Sequence, residues 1–215
     1  MYKFISFEGI DGCGKTTLRN ATLKRLLALG IPATSIGQNS WLSVPAAYVI
    51  LSARERHQVF SASTMTHSYL ADKLLHYKHN VHNLRKYGIV VSDRYYVSDI
   101  VYMHALHGMP LEQLAEEFLK GSYVWPDQIY FLDVDPHLAT DRIERRGKPR
   151  RHYEQIADLR RLSDTYRMFF DRYEGVLPTE LHRISNNDGA LEAGVETVIQ
   201  LSGILNNPRC SRTPS

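Results

Sequence analysis

Eight residues near the amino end, Gly9-Ile10-Asp11-Gly12-Cys13-Gly14-Lys15-Thr16, fit the spacing Gly-x-x-x-x-Gly-Lys-Thr in full. Glycines at such spacing let main-chain N–H groups approach phosphate oxygens, and a helix starting at the loop turns its positive end toward the anion. The lysine then reaches the outer phosphates while the following hydroxyl ligates Mg²⁺. Gly9, Asp11, Gly12, Cys13, Gly14, Lys15, Thr16 and Thr17 are therefore the expected cradle of a nucleoside triphosphate. Cys13 is read as a small side chain at a tolerant loop position.

Three further groups carry chemistry. Asp93 ends a buried apolar run, the place where phosphate-transferring proteins hold Mg²⁺ or its water shell, and Arg94 beside it is placed to neutralise a second phosphate. The stretch Arg145 to Arg151 is strongly basic but broken by Gly147 and Pro149, the form of a short lid that lays guanidinium groups on transferring phosphates. Arg146, Arg150 and Arg151 are the candidate catalytic arginines of a lid at about residues 145–152. Met65, Tyr69, Lys73 and His76 share one helical stripe that is placed to floor an acceptor pocket, with Tyr69 against a base. His76, His79 and His82 step by threes and drift around the same helix without a carboxylate or cysteine to complete a zinc set.

The elements that must hold these groups alternate along the chain. Apolar runs at 2–8, 89–92 and 128–133, with short segments at 33–37 and 181–184, predict five strands. Helical periodicity predicts segments at 17–29, 45–53, 59–86, 97–106 and 111–120, one opening at Pro136, one carrying Leu159, Leu162, Tyr166, Phe169 and Tyr173, and one at 191–205. In the first helix Leu18, Leu23, Leu26, Leu27 and Leu29 are expected on one side, and in the long one Leu70, Leu74, Tyr77, Val81 and Leu84. Strands alternating with helices imply an α/β fold, a parallel sheet covered by helices. Residues 1–205 read as one domain, and 206–215 as a flexible polar tail.

Composition bounds the partners. With 215 residues, 43% of them hydrophobic, 23% charged and a net charge of +3, the chain has the make-up of an ordinary globular domain. The local basic cluster suits an anionic small molecule better than nucleic acid. No apolar run approaches membrane-spanning length, and the only two cysteines, Cys13 and Cys210, imply no disulfide framework and a cytoplasmic setting.

The chain resembles the thymidylate kinases, which have the P-loop kinase fold. The resemblance spans roughly Met1 to Ile204. It rests on Phe7-Glu8-Gly9 through Thr17, on Leu70-Ala71-Asp72-Lys73, on Asp93-Arg94-Tyr95 with Ser98, and on Ile129 through Pro136. It implies transfer of the ATP γ-phosphoryl group to dTMP with Mg²⁺ held at Thr16 and Asp93. It further implies that Asp11 bonds the sugar 3′-hydroxyl, that Arg94 grips the acceptor phosphate and that Tyr69 stacks on thymine. Lys73 and Ser98 join them in the acceptor site, and Tyr102 crowds the sugar 2′ position. Gly12 with the lid arginines resembles the arrangement in which the lid supplies the catalytic arginine. A homodimer is implied too, with the 59–86 and 97–106 helices as its contact faces. The chain departs from the pattern at three places: Ser35 to Ser40 lacks the Arg-Glu-Pro-Gly stretch, Lys73 replaces an arginine, and Asp99 stands where a neutral residue is usual. A deoxynucleoside kinase and a degenerate, nucleotide-binding kinase are the competing readings.

Overall fold

The computed structural model describes residues 1–121, 123–147, 149–187 and 191–202. The tail predicted at 206–215, with Cys210, lies outside the described residues, as does Lys148 of the lid stretch.

Five strands form one parallel sheet in the order β2-β3-β1-β4-β5: β1 Phe4–Glu8, β2 Ala33–Ile36, β3 Ile89–Asp93, β4 Gln128–Asp133 and β5 Glu180–Ser185. The central strands are unbroken buried runs because helices cover both faces, whereas edge strands β2 and β5 are partly exposed. The covering helices are α1 Lys15–Ala28, α2 Val44–Arg54, α3 Ala62–His76, α4 His82–Leu84, α5 Tyr96–His107, α6 Leu111–Lys120, α7 Pro136–Arg145, α8 Ile156–Tyr173 and α9 Leu191–Leu201. Strand β1 lies between β3 and β4, so the chain leaves it toward one edge and later returns to its other side. Ligands of open parallel sheets bind beyond the carboxyl ends of the strands at such a switch point. The phosphate loop follows β1 and Asp93-Arg94 closes β3, so the topology sets both groups at one edge.

Expectations about three helices are corrected. The predicted helix at 59–86 begins at Ala62, behind a Ser61 side chain that accepts from Thr64 N, and carries a π-helical turn at Tyr77–Val81. Of its expected apolar stripe, Leu70 and Val81 are buried and Tyr77 and Leu84 pack on the core, but Leu74 is 54% exposed, and Lys73 and His76 are buried as well, bonded to the loop after β2. In α1, Leu18 and Leu26 are buried but Leu27 and Leu29 are exposed, since five leucines over 12 residues span more than the one face that meets the sheet. Helix α5 keeps Val97, Ile100, Val101, Met103 and Ala105 buried within the chain, packed against α6 and α8. Those side chains offer no face to a second copy.

Candidate active site

Helix α1 starts at Lys15 directly after Gly14, which adopts φ 98 and supplies no side-chain cap. The first-turn N–H groups are thus left for an anion. Gly12 has φ 80, and a Cβ there would stand 2.3 Å from the Ala139 carbonyl oxygen, so only glycine lets the loop lie against α7. The Asn186 side chain, just beyond β5, donates to the Cys13 carbonyl at 2.7 Å and holds the loop from the other side.

Lys15 folds back on this loop, its Nζ donating to the carbonyls of Gly9 at 3.0 Å and Ile10 at 2.7 Å. A polyanion in the loop competes for the same ammonium. Gly9 and Cys13 stand behind the wall of the cleft, whereas Asp11, Gly12, Gly14, Lys15, Thr16 and Thr17 line it. The cleft measures about 680 Å³ and also takes in Arg19, Arg54, Arg142, Arg146 and Arg151. Thr16 Oγ1 donates to Asp93 Oδ2 at 2.7 Å, and Arg19 Nη1 lies 3.4 Å from the same oxygen. One hydroxyl and one carboxylate oxygen at the cleft wall are hard ligands of the kind Mg²⁺ takes when substrate phosphates complete its shell. Among the described residues no group of three His, Cys, Asp or Glu side chains forms a metal site of its own.

Arg94 is the pivot. Its backbone has φ 72, a left-handed conformation that costs a non-glycine residue about 1–3 kcal/mol and persists only where surroundings enforce it. The guanidinium is held by four acceptors: Nη1 donates to Gly9 O at 2.6 Å, Tyr166 Oη at 2.9 Å and Ser98 Oγ at 3.2 Å, and Nη2 donates to Asp11 Oδ1 at 2.8 Å. The Tyr102 ring lies beneath it, 4.9 Å from centroid to Cζ. Burial alone pushes the Asp11 carboxyl up, but the Arg94 and Lys15 charges outweigh it and bring it down to about 2. Asp11 is therefore a carboxylate at any physiological pH, and an acceptor for a hydroxyl.

A smaller recess opens off the cleft, floored by Tyr69, Ile50, Tyr102 and Tyr153. Asp11, Gln38, Asn39, Arg54, Arg94 and Arg151 line both spaces. Of the lid candidates, Arg146 and Arg151 reach the cleft. Arg146 Nη2 bridges both oxygens of buried Glu154 at 2.9 and 3.0 Å, and Arg151 Nη1 donates to Tyr153 Oη at 2.8 Å. Arg150 pairs with Glu144 and does not line it.

A family model described as thymidylate kinase matches residues 7–180 of this chain. The chain belongs to the thymidylate kinase family. Thymidylate kinase of Leptospira interrogans is 28% identical over 185 residues, covering 86% of each chain. That of Francisella tularensis subsp. tularensis is 28% identical over 204 residues, covering 92% of this chain and 90% of the relative. That of Francisella tularensis subsp. novicida is 31% identical over 155 residues, 69% and 73%. The protein is thus a kinase-type phosphotransferase, and its parallel sheet with the loop after β1 is the P-loop kinase α/β fold.

Within this family frame, the three departures from the pattern prove to be one construction. Lys73 and Asp99, both fully buried, pair at 2.9 Å, an approach off the hydrogen-bonding axis of Asp99 Oδ2 and so chiefly ionic. The loop after β2 closes over them: Gln38 Nε2 donates to Asp99 Oδ1 at 2.6 Å and Lys73 Nζ donates to Asn39 Oδ1 at 2.9 Å. Asp72 accepts from the backbone N–H groups of Ser40 and Trp41, and His76 Nε2 lies 2.9 Å from Gly37 O. An added acid offsets the cation, and neutral amides replace the missing arginine. Burial pushes the Asp99 carboxyl up to about 6 against the pull of Lys73.

Lys73 therefore sits behind the recess, not in it. Ser98 is likewise fully buried under Arg94, so both depart from the expectation that they touch an acceptor. Replacing Lys73 by Met strands Asp99 and Asp72 without their cation and should cost ~3–5 kcal/mol in chemical denaturation. The double change Lys73→Met with Asp99→Leu should recover most of that loss. A single variant within about 1 kcal/mol of wild type would contradict this reading.

Several cleft residues escaped the sequence reading. Arg19 and Arg142 stand one helical turn from Lys15 and Arg146, an i, i+4 signal that was there to use. Arg54, whose guanidinium lies over the Trp41 ring at 5.9 Å, gave no local signal.

Proposed function

We propose that this kinase moves the ATP γ-phosphoryl group to the 5′-phosphate of dTMP, giving dTDP and ADP, in a Mg²⁺-dependent reaction. The observation that carries the reading is the position of Arg94, which lines both the phosphate-loop cleft and the aromatic recess. A guanidinium at that border meets an anion arriving from the recess side while the loop amides hold the other.

Roles follow from place. The phosphate-loop amides and Lys15 bind the donor chain, and Thr16 with Asp93 would hold Mg²⁺, whose charge offsets that of the donor phosphates. Asp11 accepts from the sugar 3′-hydroxyl, Tyr69 stacks on the base, and Tyr102 fills the space that a 2′-hydroxyl needs. Arg146 and Arg151 lie where a lid closing on the phosphates stabilises transferring charge and excludes water. An acceptor phosphate is already ionised, so no general base is required.

Other parts of this reading are a single kinase unit over residues 1–205, cytoplasmic residence, small-molecule partners without nucleic acid or membrane, and a homodimer. Exposed Leu74 on α3 suits a contact between copies, and no helix among the described residues is long and apolar enough to cross a membrane. One observation favours a second reading, a deoxynucleoside kinase: neutral Gln38 and Asn39 occupy the wall that both spaces share, and suit an uncharged acceptor. ADP release measured across nucleoside monophosphates and nucleosides, with and without Mg²⁺, separates the two. Metal-dependent turnover should be highest with dTMP. Turnover of thymidine with none of dTMP would decide for the second reading.

A further inference from the structure

Glu8, the last residue of β1, has no part in the chemistry above, yet it is a fully buried acid next to the pivot arginine. Its Oε1 accepts from Tyr95 N at 2.7 Å and its Oε2 accepts from Ser98 Oγ at 2.5 Å. Ser98 Oγ in turn lies 2.7 Å from Tyr166 Oη, and both oxygens accept from Arg94 Nη1. We infer that Glu8 is a positioning residue which, through Ser98 and Tyr166, fixes the direction of the hydrogen bonds that aim Arg94.

The argument is one of proton counting. An ionised carboxylate only accepts, and each hydroxyl has one proton to give. Ser98 gives its proton to Glu8, which leaves its lone pairs for Tyr166 and Arg94. Tyr166 gives its proton to Ser98, which leaves its own lone pair facing Nη1. Every group in the relay thus presents an acceptor to the guanidinium. A donor at Glu8 Oε2 reverses the chain. Ser98 then receives from position 8 and gives its proton to Tyr166, and the phenol hydrogen is turned toward Nη1. Arg94 keeps Gly9 O and Asp11 but loses a partner that sets its angle.

Burial pushes the Glu8 carboxyl up to about 7, against the lowering influence of Ser98, Arg94 and the Tyr95 N–H. The charged or titratable groups facing it are Arg94 and Tyr95 between β3 and α5, Asp99 from α5, and Tyr166 from α8; β4 places Phe131 opposite it. Ionisation of Glu8 thus rests on its being offered two donors and the Arg94 charge.

The inference rests on Arg94 serving the acceptor, and the test keeps the two claims apart. Steady-state rates with ATP and dTMP are measured for wild type, Glu8→Gln and Tyr166→Phe between pH 5.5 and 9. Glu8→Gln is expected to lower kcat/KM for dTMP about tenfold, the loss of one hydrogen bond to a charged group, while KM for ATP moves less than about twofold. Wild type should show an acid limb near pH 7 that Glu8→Gln lacks. Tyr166→Phe keeps the ring stacked on Phe131 and removes only the hydroxyl, so it carries the test if the Gln variant does not fold. It should lose activity toward dTMP about threefold or more, again with ATP spared. Variants that match wild type on dTMP, or that lose dTMP and ATP alike, overturn the relay while leaving dTMP phosphorylation standing. Wild type that turns over no acceptor overturns both.

Discussion

Lys15→Ala should lower kcat about 10³-fold, because the ammonium is the only side-chain cation of the phosphate loop itself and acts where charge builds on the transferring group. The loss is expected in kcat more than in ATP affinity, since the loop amides remain. Structure need not suffer: Lys15 Nζ donates only to groups of its own loop, the carbonyls of Gly9 and Ile10 and Cys13 Sγ, and Gly9 O keeps Arg94 Nη1 as a donor when the ammonium is removed. Single-turnover rates with labelled ATP check this, alongside a melting curve. Retention of more than about a tenth of wild-type kcat would mean that phosphoryl transfer does not run over this loop.

Arg94→Ala is the second large effect. It removes the guanidinium that both spaces share and leaves Asp11 without its nearest cation. The expected result is a fall of about 10³-fold in kcat/KM for the acceptor with ATP binding changed little. Arg94→Lys should recover only a small part, because one ammonium cannot serve Gly9, Ser98, Tyr166 and Asp11 and still face a phosphate. The Asp11 carboxyl also changes its behaviour. It lies near 2 in the wild type, so its folded form gains stability above the unfolded carboxyl's value and loses it as pH falls toward 2. In Arg94→Ala the Asp11 carboxyl moves up toward the unfolded value, so its share of that acid loss should shrink, which acid titration followed by circular dichroism reads directly.

The acids whose buried carboxyls are raised act with the opposite sign. Glu8 near 7 and Asp99 near 6 bind protons in the folded state that the unfolded chain has already released. Their contribution to stability is complete below about pH 4 and declines as pH rises through 6 to 7. Glu8→Gln and Asp99→Asn should each flatten that decline in urea titrations. A wild-type slope unchanged by both substitutions would contradict the burial of these two carboxyls.

Much of this was legible in the residues. The phosphate loop announces itself because its glycines, lysine and threonine are demanded by backbone geometry and charge, and the structure places Gly12 and Gly14 at positive φ as that geometry requires. The three central strands were legible for a similar reason: strands buried on both faces are largely apolar runs, and 128–133 carries the same bounds in the structure. What was not legible came from contacts between distant segments. Lys73 and Asp99 each look like an isolated oddity, and only the packing of α3 against α5 under the loop after β2 joins them. Leu27, Leu29 and Leu74 misled because helical periodicity counts apolar positions without knowing how wide a face the sheet offers. Nothing local marks Glu8 as the acceptor at the end of a relay reaching Tyr166, far along the chain.

The claim on which the rest depends is that two anions meet end to end over the β1–β3 edge, with Arg94 on the acceptor side. A crystal structure with an adenosine–thymidine bisubstrate polyphosphate tests it most directly. The adenosine-side phosphates should lie on the loop after β1, the thymine on Tyr69, and the thymidine-side phosphate about 3 Å from the Arg94 guanidinium. The same crystal with the thymidine-side phosphate away from Arg94, and that guanidinium still bonded only to Gly9, Asp11, Ser98 and Tyr166, would contradict it.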